Sequence, residues 1–304
     1  MTNSASTTAQ RGPVGLIGLG LIGTAVAHRL VAAGYRVLGY DIAPERRAAF
    51  AELGGAPVTS LAEIAQGAEI IFTCVFDTAQ TEDVVENGIL PAMPAGARPL
   101  ILAVSTCDPD RIAALAARVA PRGIRVMDTP VSGSSRTVQL GEGLALIGGE
   151  PADVDSAKEV LDAVFPDRRH VGPVGNGGRT KLAINLIGGL NRLVVAEGLV
   201  FAERMGLEPR AFLEIAKDAA SYSAAMEEKG RKMVTGDFAP LGRARQTLKD
   251  VHIMLEQGRR LGQELPLAAL AADVLSACVR HGEGDLDNSI IINEIRRRRT
   301  ASST

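Results

Sequence analysis

From Val14 onward the chain alternates short apolar runs with amphipathic stretches. The runs VGLIG, RVLGY, AEIIFTCVF, RPLILAVS, IRVMDTPV, GLALIGG and RRHVG are the strand candidates. Between them lie helical patterns such as Thr24 to Ala33, closed by Gly34, and Leu61 to Ala65, opened by a capping box from Ser60 to Glu63. This alternation predicts an α/β fold with a doubly wound, mainly parallel sheet, because parallel strands need a crossover helix between them. After His170 the alternation stops, and the chain from about Gly178 to Ile295 reads helical. The expected organisation is therefore a disordered lead-in at 1–12, an α/β domain at 13–177, an all-α domain at 178–295 and a basic tail at 296–304.

The stretch from Gly175 to Gly206 reads as a single helix joining the two domains. About 28 residues of helix span roughly 42 Å, enough to border the interdomain cleft, where ligands usually bind. Its most apolar window, Leu182 to Ala202, carries Asn185, Asn191, Arg192 and Glu197, which hydrocarbon penalises. A buried helix is expected rather than a membrane span.

Net charge is close to zero at −2, and Trp is absent, so a nucleic-acid platform built on phosphate neutralisation and base stacking is disfavoured. Cys74, Cys107 and Cys278 are widely separated and lack metal or disulfide-framework spacing, which fits a reducing compartment. The first dozen residues lack the apolar core of a secretory signal, so a cytoplasmic location is expected. The terminal RRRRTASST reads as a solvated end.

Candidate chemistry begins at the first strand. VGLIGLGLIGTAVAHRL sets Gly18, Gly20 and Gly23 in a G-x-G-x-x-G pattern between a strand and a helix. Gly18 permits the tight turn, Gly20 lets backbone approach a pyrophosphate, and Gly23 allows close helix packing, with the helix N-terminus facing the anion. The next strand ends at Asp41, eighteen residues after Gly23. A carboxylate there accepts hydrogen bonds from ribose hydroxyls and repels a 2′-phosphate, so NAD is favoured, with NADP left open by Arg46 and Arg47. A dinucleotide-binding Rossmann domain is thus expected over 13–177, with Leu19, Leu21 and Ile22 completing the turn.

Alcohol oxidation by such a cofactor needs a group that removes the hydroxyl proton as hydride leaves. None of Tyr35, Tyr40 and Tyr222 has Lys four residues on, and the four histidines lack metal-ligand spacing, so no metal site is expected. Lys181 stands near the start of the long helix, with Asn185 one turn later on the same face. In a partly desolvated cleft its ammonium form is disfavoured. Spacing alone leaves two readings, an acid/base lysine with a positioning asparagine, or a solvated lysine with a packing asparagine.

Four segments, GLIGLGLIGTAVA, DTPVSG at Asp128 to Gly133, GPVGNGGRTKLAIN at Gly172 to Asn185, and LKDVHIMLEQGRRLG at Leu248 to Gly262, resemble in order and spacing the signatures of the β-hydroxyacid dehydrogenase family. The resemblance runs from Val14 to about Glu294. It implies a Rossmann domain followed by a helical domain through which subunits associate as a dimer or tetramer. It implies that Lys181 is the catalytic acid/base and that Asn185 positions a small hydroxy acid. It further implies that Ser132 and Gly133 grip the substrate carboxylate, with Ser134 next to them as a further substrate-binding candidate, that Ser105 and Thr106 lie near the nicotinamide, and that Lys249 of the Lys249–Asp250 pair approaches cofactor or substrate; Val75 is a further cofactor-binding candidate. Asp287 is expected to cap the last helix.

Two segments depart from the family pattern. Ser134 replaces a customary glycine and Arg136 a usually small residue, so Arg136 is either solvent-facing or a ligand for a second acidic substituent. TCVFDTAQ lacks the usual Leu-Pro, which leaves the cofactor contacts at Val75 open. The expected reaction is interconversion of a small 3-hydroxy acid and its 3-oxo acid or semialdehyde. The alternatives are an imine or ketone reductase on the same scaffold and a non-catalytic dinucleotide sensor.

Overall fold

The computed structural model describes residues 11–299. The chain divides into two compact units between Lys181 and Leu182, one turn inside the long helix, whereas the sequence puts the boundary at 177/178.

In the first unit, β1 (Arg11–Ile17), β2 (Tyr35–Tyr40), β3 (Ala56–Pro57), β4 (Ile70–Thr73), β5 (Leu100–Ala103) and β6 (Arg125–Asp128) form a parallel sheet in the order β3-β2-β1-β4-β5-β6. This is the Rossmann winding, with the strand order reversing beside β1. Helices α1 (Leu21–Ala32), α2 (Pro44–Glu52), α3 (Leu61–Gly67), α4 (Thr78–Asp83) and α5 (Pro109–Val119) make the connections. Successive strand residues point to opposite faces, so Leu16, Phe72 and Leu102 join one apolar core while Ile17, Ile71 and Ile101 join another. That two-sided burial is why the central strands read as continuous apolar runs.

The run IRVMDTPV is not one strand. After β6 the backbone of Asp128 pairs with Gly148, Pro130 has no N–H to offer a ladder, and β7 (Val131–Ser132) turns away. It joins β8 (Leu144–Ile147) and β9 (Arg168–His170) in a second sheet, antiparallel at β7–β8 and parallel at β8–β9. Helices α6 (Ser135–Leu140), α7 (Pro151–Ser156) and α8 (Lys158–Val164) accompany it.

The long helix α9 (Asn176–Arg204) has 29 residues. It leads into α10 (Pro209–Asp218), α11 (Arg231–Thr235), α12 (Ala244–Arg260), α13 (Pro266–Arg280) and α14 (Ile291–Arg297), which share a core built on Leu193, Leu199, Val251, Met254, Leu275 and Ile292.

Three further expectations need correction. Arg11 and Gly12 belong to β1, where Arg11 pairs in register with Tyr35 and lies over its ring, so the lead-in ends earlier than residue 12. Arg296 and Arg297 close α14, and Arg296, Arg297 and Arg298 are held by Glu203, Glu283 and Glu294 respectively, so the arginine run is structured rather than a tail. Residues 1–10 and 300–304 of those segments lie outside the described residues. Lastly, α9 is not buried all round: Val194 is 69% and Phe201 64% exposed, and the helix is long and apolar enough to cross a membrane by length and composition.

Candidate active site

The first unit carries the glycine turn. Gly18 has φ +92°, a conformation that strains any side chain, and a Cβ there would press on the Cys74 carbonyl. A Cβ on Gly23 would sit 1.8 Å from the Gly18 carbonyl oxygen, so α1 approaches the turn only because neither residue has one. Gly20 caps α1 with no side-chain hydrogen bond, and a Cβ there meets nothing within 4 Å. The helix N-terminus thus faces open space, the arrangement a pyrophosphate needs. Leu21 and Ile22 are half-buried in the first turn of α1, whereas the Leu19 side chain is in the core.

Asp41, only 4% exposed, follows directly on β2. Its Oδ2 accepts from the Leu19 amide at 2.8 Å and from Arg46 at 3.3 Å, and its Oδ1 accepts from the Ala43 amide at 2.9 Å. The carboxylate therefore ties the glycine turn to the end of β2 and holds negative charge there. Arg47 donates to the Asp41 carbonyl and lies over the Tyr40 ring. At the ends of the next strands, the Ser105 hydroxyl donates to the Val75 carbonyl at 2.6 Å, which joins two expected cofactor-lining residues. Thr106 is buried beside it, and Asp108, not Thr106, caps α5. The turn, the exposed helix N-terminus and the carboxylate fit a dinucleotide.

Ser132 ends β7, and Gly133 follows with φ +148°, where a Cβ would meet the Thr137 hydroxyl at 2.5 Å. Ser134 caps α6, accepting from the Thr137 amide, and Arg136 is exposed in the first turn of that helix. Sequence reasoning quoted Asp128 without giving it a role. Its Oδ1 accepts from the Gly175 amide at 2.7 Å and its Oδ2 from the Gly178 amide at 2.6 Å. The residues at the start of α9, GNGG, supply no capping side chain of the strand-end kind at Gly175, and Asp128 caps the helix from far away in sequence. Burial pushes its carboxyl above the ordinary aspartate range despite the two amides. Lys181 follows within the next turn and is 7% exposed, so it is not a solvated lysine.

In the second unit, the Asn185 amide nitrogen donates to Asp250 Oδ2 at 3.0 Å, and Lys249 Nζ lies 2.9 Å from Asp250 Oδ1. Lys249 and Asp250 are largely buried, not an ordinary surface pair. With its nitrogen committed to Asp250, Asn185 presents its carbonyl oxygen, an acceptor suited to a hydroxyl or ammonium. Among the described residues no group of three or more His, Cys, Asp or Glu could hold a metal ion.

Comparison with known proteins agrees with these features. Residues 13–172 match the NAD binding domain of 6-phosphogluconate dehydrogenase, and residues 175–295 match the family described as NAD-binding of NADP-dependent 3-hydroxyisobutyrate dehydrogenase. L-threonate dehydrogenase of Cupriavidus necator is 31% identical, covering 92% of this chain and 94% of that protein. 2-Hydroxy-3-oxopropionate reductase of Escherichia coli is 28% identical over 93% and 96%. The crystal structure of 3-hydroxyisobutyrate dehydrogenase from Salmonella typhimurium superposes with a TM-score of 0.85 at 26% identity, covering 93% of this chain and 99% of that one. With the Rossmann glycine turn and the remotely capped helix presenting a buried lysine, the two family matches across the chain and the near full-length dehydrogenase relatives place this chain in the β-hydroxyacid dehydrogenase family, as an NAD(P)-dependent hydroxy acid dehydrogenase.

Proposed function

We propose that the enzyme interconverts a small 3-hydroxy acid and its 3-oxo acid or semialdehyde, with Lys181 as general acid/base. The observation that carries this reading is the buried Lys181 amine on a helix whose first turn is fixed by Asp128. NAD(P), when bound, supplies the nicotinamide carbon that exchanges hydride with the substrate carbon. In oxidation the neutral Lys181 amine accepts the hydroxyl proton; in reduction its ammonium returns that proton to the carbonyl oxygen. Ser132 and the backbone amides after it hold the substrate carboxylate, and the Asn185 carbonyl accepts from the hydroxyl or from Lys181. Relatives named for L-threonate and 2-hydroxy-3-oxopropionate support a small, polar acid as substrate. Lys181 and Asn185 together favour alcohol chemistry over an imine reductase or a cofactor sensor. The test is a panel of three- to five-carbon hydroxy acids assayed with both cofactors; no turnover of any of them rejects the reading.

NAD is the preferred cofactor on this reading, because the Asp41 carboxylate stands where a 2′-phosphate would bring like charge. NAD is expected to exceed NADP in kcat/KM by about tenfold or more, and Asp41→Asn to shrink that ratio by about tenfold, equivalent to roughly 1.4 kcal/mol. Equal use of the two cofactors by the wild type would reject the assignment. The free thiols of Cys74, Cys107 and Cys278 suit a reducing cytoplasm.

The exposed stripe of α9, with Ile187, Val194, Phe201 and Met205 at helical spacing, is the surface through which two copies associate. Gly198 lies on that stripe, and a Cβ there meets nothing within 4 Å, so a second backbone can approach closely. Phe201→Glu should convert the oligomer to monomer in light scattering. A monomeric wild type would dispose of the interface.

A further inference from the structure

Lys181 lies in the second turn of α9, and the first unit ends on it, so its amine is placed by the way that unit holds the start of the helix. Helical side chains lean toward the N-terminus, over the residues three and four before them. The stem of Lys181 is thus directed over Gly177 and Gly178, in the turn that Asp128 caps.

Asp128 stands at the C-terminal end of β6, on the edge of a Rossmann sheet at which ligands bind, with Ala103 of β5 beside it. Glycines cradle its carboxylate. A Cβ on Gly148 would press on Oδ1, and one on Gly177 would press on Oδ2 and on the Leu146 carbonyl. The same stretch is wedged against the start of α5: a Cβ on Gly175 would meet the Pro109 carbonyl at 2.9 Å, and Arg179 pairs with Asp110 at 2.7 Å. Ser105 and Thr106 lead directly into that end of α5. One carboxylate therefore registers the lysine-bearing turn against the loop expected beside the nicotinamide.

Its charge matters as well as its shape. Distances of 2.7 and 2.6 Å to the Gly175 and Gly178 amides are those of charge-assisted hydrogen bonds. The positive end of a helix disfavours a cation nearby, and a carboxylate placed there offsets that field. The other ionisable groups on the elements packed around it have partners of their own. Arg179 is held by Asp110, Asp108 by the amides of Asp110 and Arg111, and His170 by the Gly149 carbonyl.

We propose that Asp128 is a positioning residue for the reaction, acting through Lys181: it sets where the amine stands and, by its charge, how firmly the amine keeps its proton. This rests on the assignment of Lys181 as the acid/base.

The test sets Asp128→Asn against Gly177→Ala, both loaded with NAD. The asparagine keeps the size of the side chain but loses the charge and accepts through one oxygen where two amides need acceptors. The alanine keeps the charge and pushes the helix start off its cradle. Both should lower kcat about 20-fold, with KM changed less than about threefold. The Lys181 titration, followed by carbon-13 NMR of the lysine Cε and assigned by its loss in Lys181→Ala, should move down by about half a pH unit or more in Asp128→Asn and stay in place in Gly177→Ala. The sign follows because a negative charge lost near an ammonium favours the neutral amine. The rise of kcat with pH in oxidation should move with it. A kcat for Asp128→Asn within about twofold of wild type, or a Lys181 titration unmoved in that variant, overturns the proposal. Should Asp128→Asn fail to fold, Gly177→Ala decides: a fall in kcat at constant KM sustains the proposal, and a wild-type kcat overturns it. Failure of the dehydrogenase reading is separate, because the NMR titration needs no turnover.

Discussion

Lys181→Ala should lower kcat by about three powers of ten, roughly 4 kcal/mol of transition-state stabilisation. The side chain is 7% exposed, so its loss removes no solvated surface charge. NADH affinity, followed by nicotinamide fluorescence, should be little changed, since the dinucleotide is held by the glycine turn and the carboxylate of Asp41. The pH dependence separates this from a structural defect: the wild-type profile in the oxidation direction should rise as the amine loses its proton, and the variant should be flat over the same range. Retention of more than about a tenth of kcat would remove Lys181 from the mechanism.

Asp287→Ala should destabilise the second unit by about 3–5 kcal/mol, the scale expected when one member of a buried ion pair is deleted. Asp287 is fully buried, accepts twice from Lys229 at 3.0 and 3.1 Å, and accepts from the amides of Leu241, Gly242 and Ser289 and from the Ser289 hydroxyl. It does more than cap the short turn before α14, because it also fixes the loop before α12. Burial alone would raise its pKa, but Lys229 and the donors together hold it below the ordinary aspartate value. A depressed pKa in the folded state gives stability that is present above the unfolded value, near 4, and is lost as pH falls through the folded one. Urea midpoints of wild type should therefore drop on acidification below about pH 4, and those of Asp287→Ala should fall less over the same interval. Identical midpoints for the two proteins at pH 7 would contradict this account.

What could be read in the sequence was what is local. Gly18, Gly20 and Gly23 act through their own backbone, and the period of apolar residues between Gly175 and Gly206 gave α9 to within a turn at each end. The partition of strands between two sheets was not readable, because GLALIGG and RRHVG are apolar or mixed runs whatever strand lies beside them. The two-residue β3 is too short to leave a pattern. Asp128 was hidden for a related reason: the helix it caps starts at Asn176, and only the glycine-rich run there, lacking a capping side chain, signals that a cap must come from elsewhere. The bond from Asn185 to Asp250 likewise joins positions far apart in sequence. Exposure of the apolar stripe on α9 was misread as burial, since hydrophobic periodicity marks an apolar face without saying whether the rest of the chain covers it.

The adjacent glycines at 188 and 189 weaken the helix they interrupt. Each costs a helix interior about 1 kcal/mol relative to alanine, so the pair surrenders roughly 2 kcal/mol of folding free energy in the very element that carries the lysine. Neither is required by backbone conformation, since neither has a positive φ, and neither by crowding. An added Cβ at either position would meet nothing within 4 Å, so alanine there should raise the thermal midpoint without disturbing a neighbour in the same chain, which makes the pair a direct route to a sturdier enzyme.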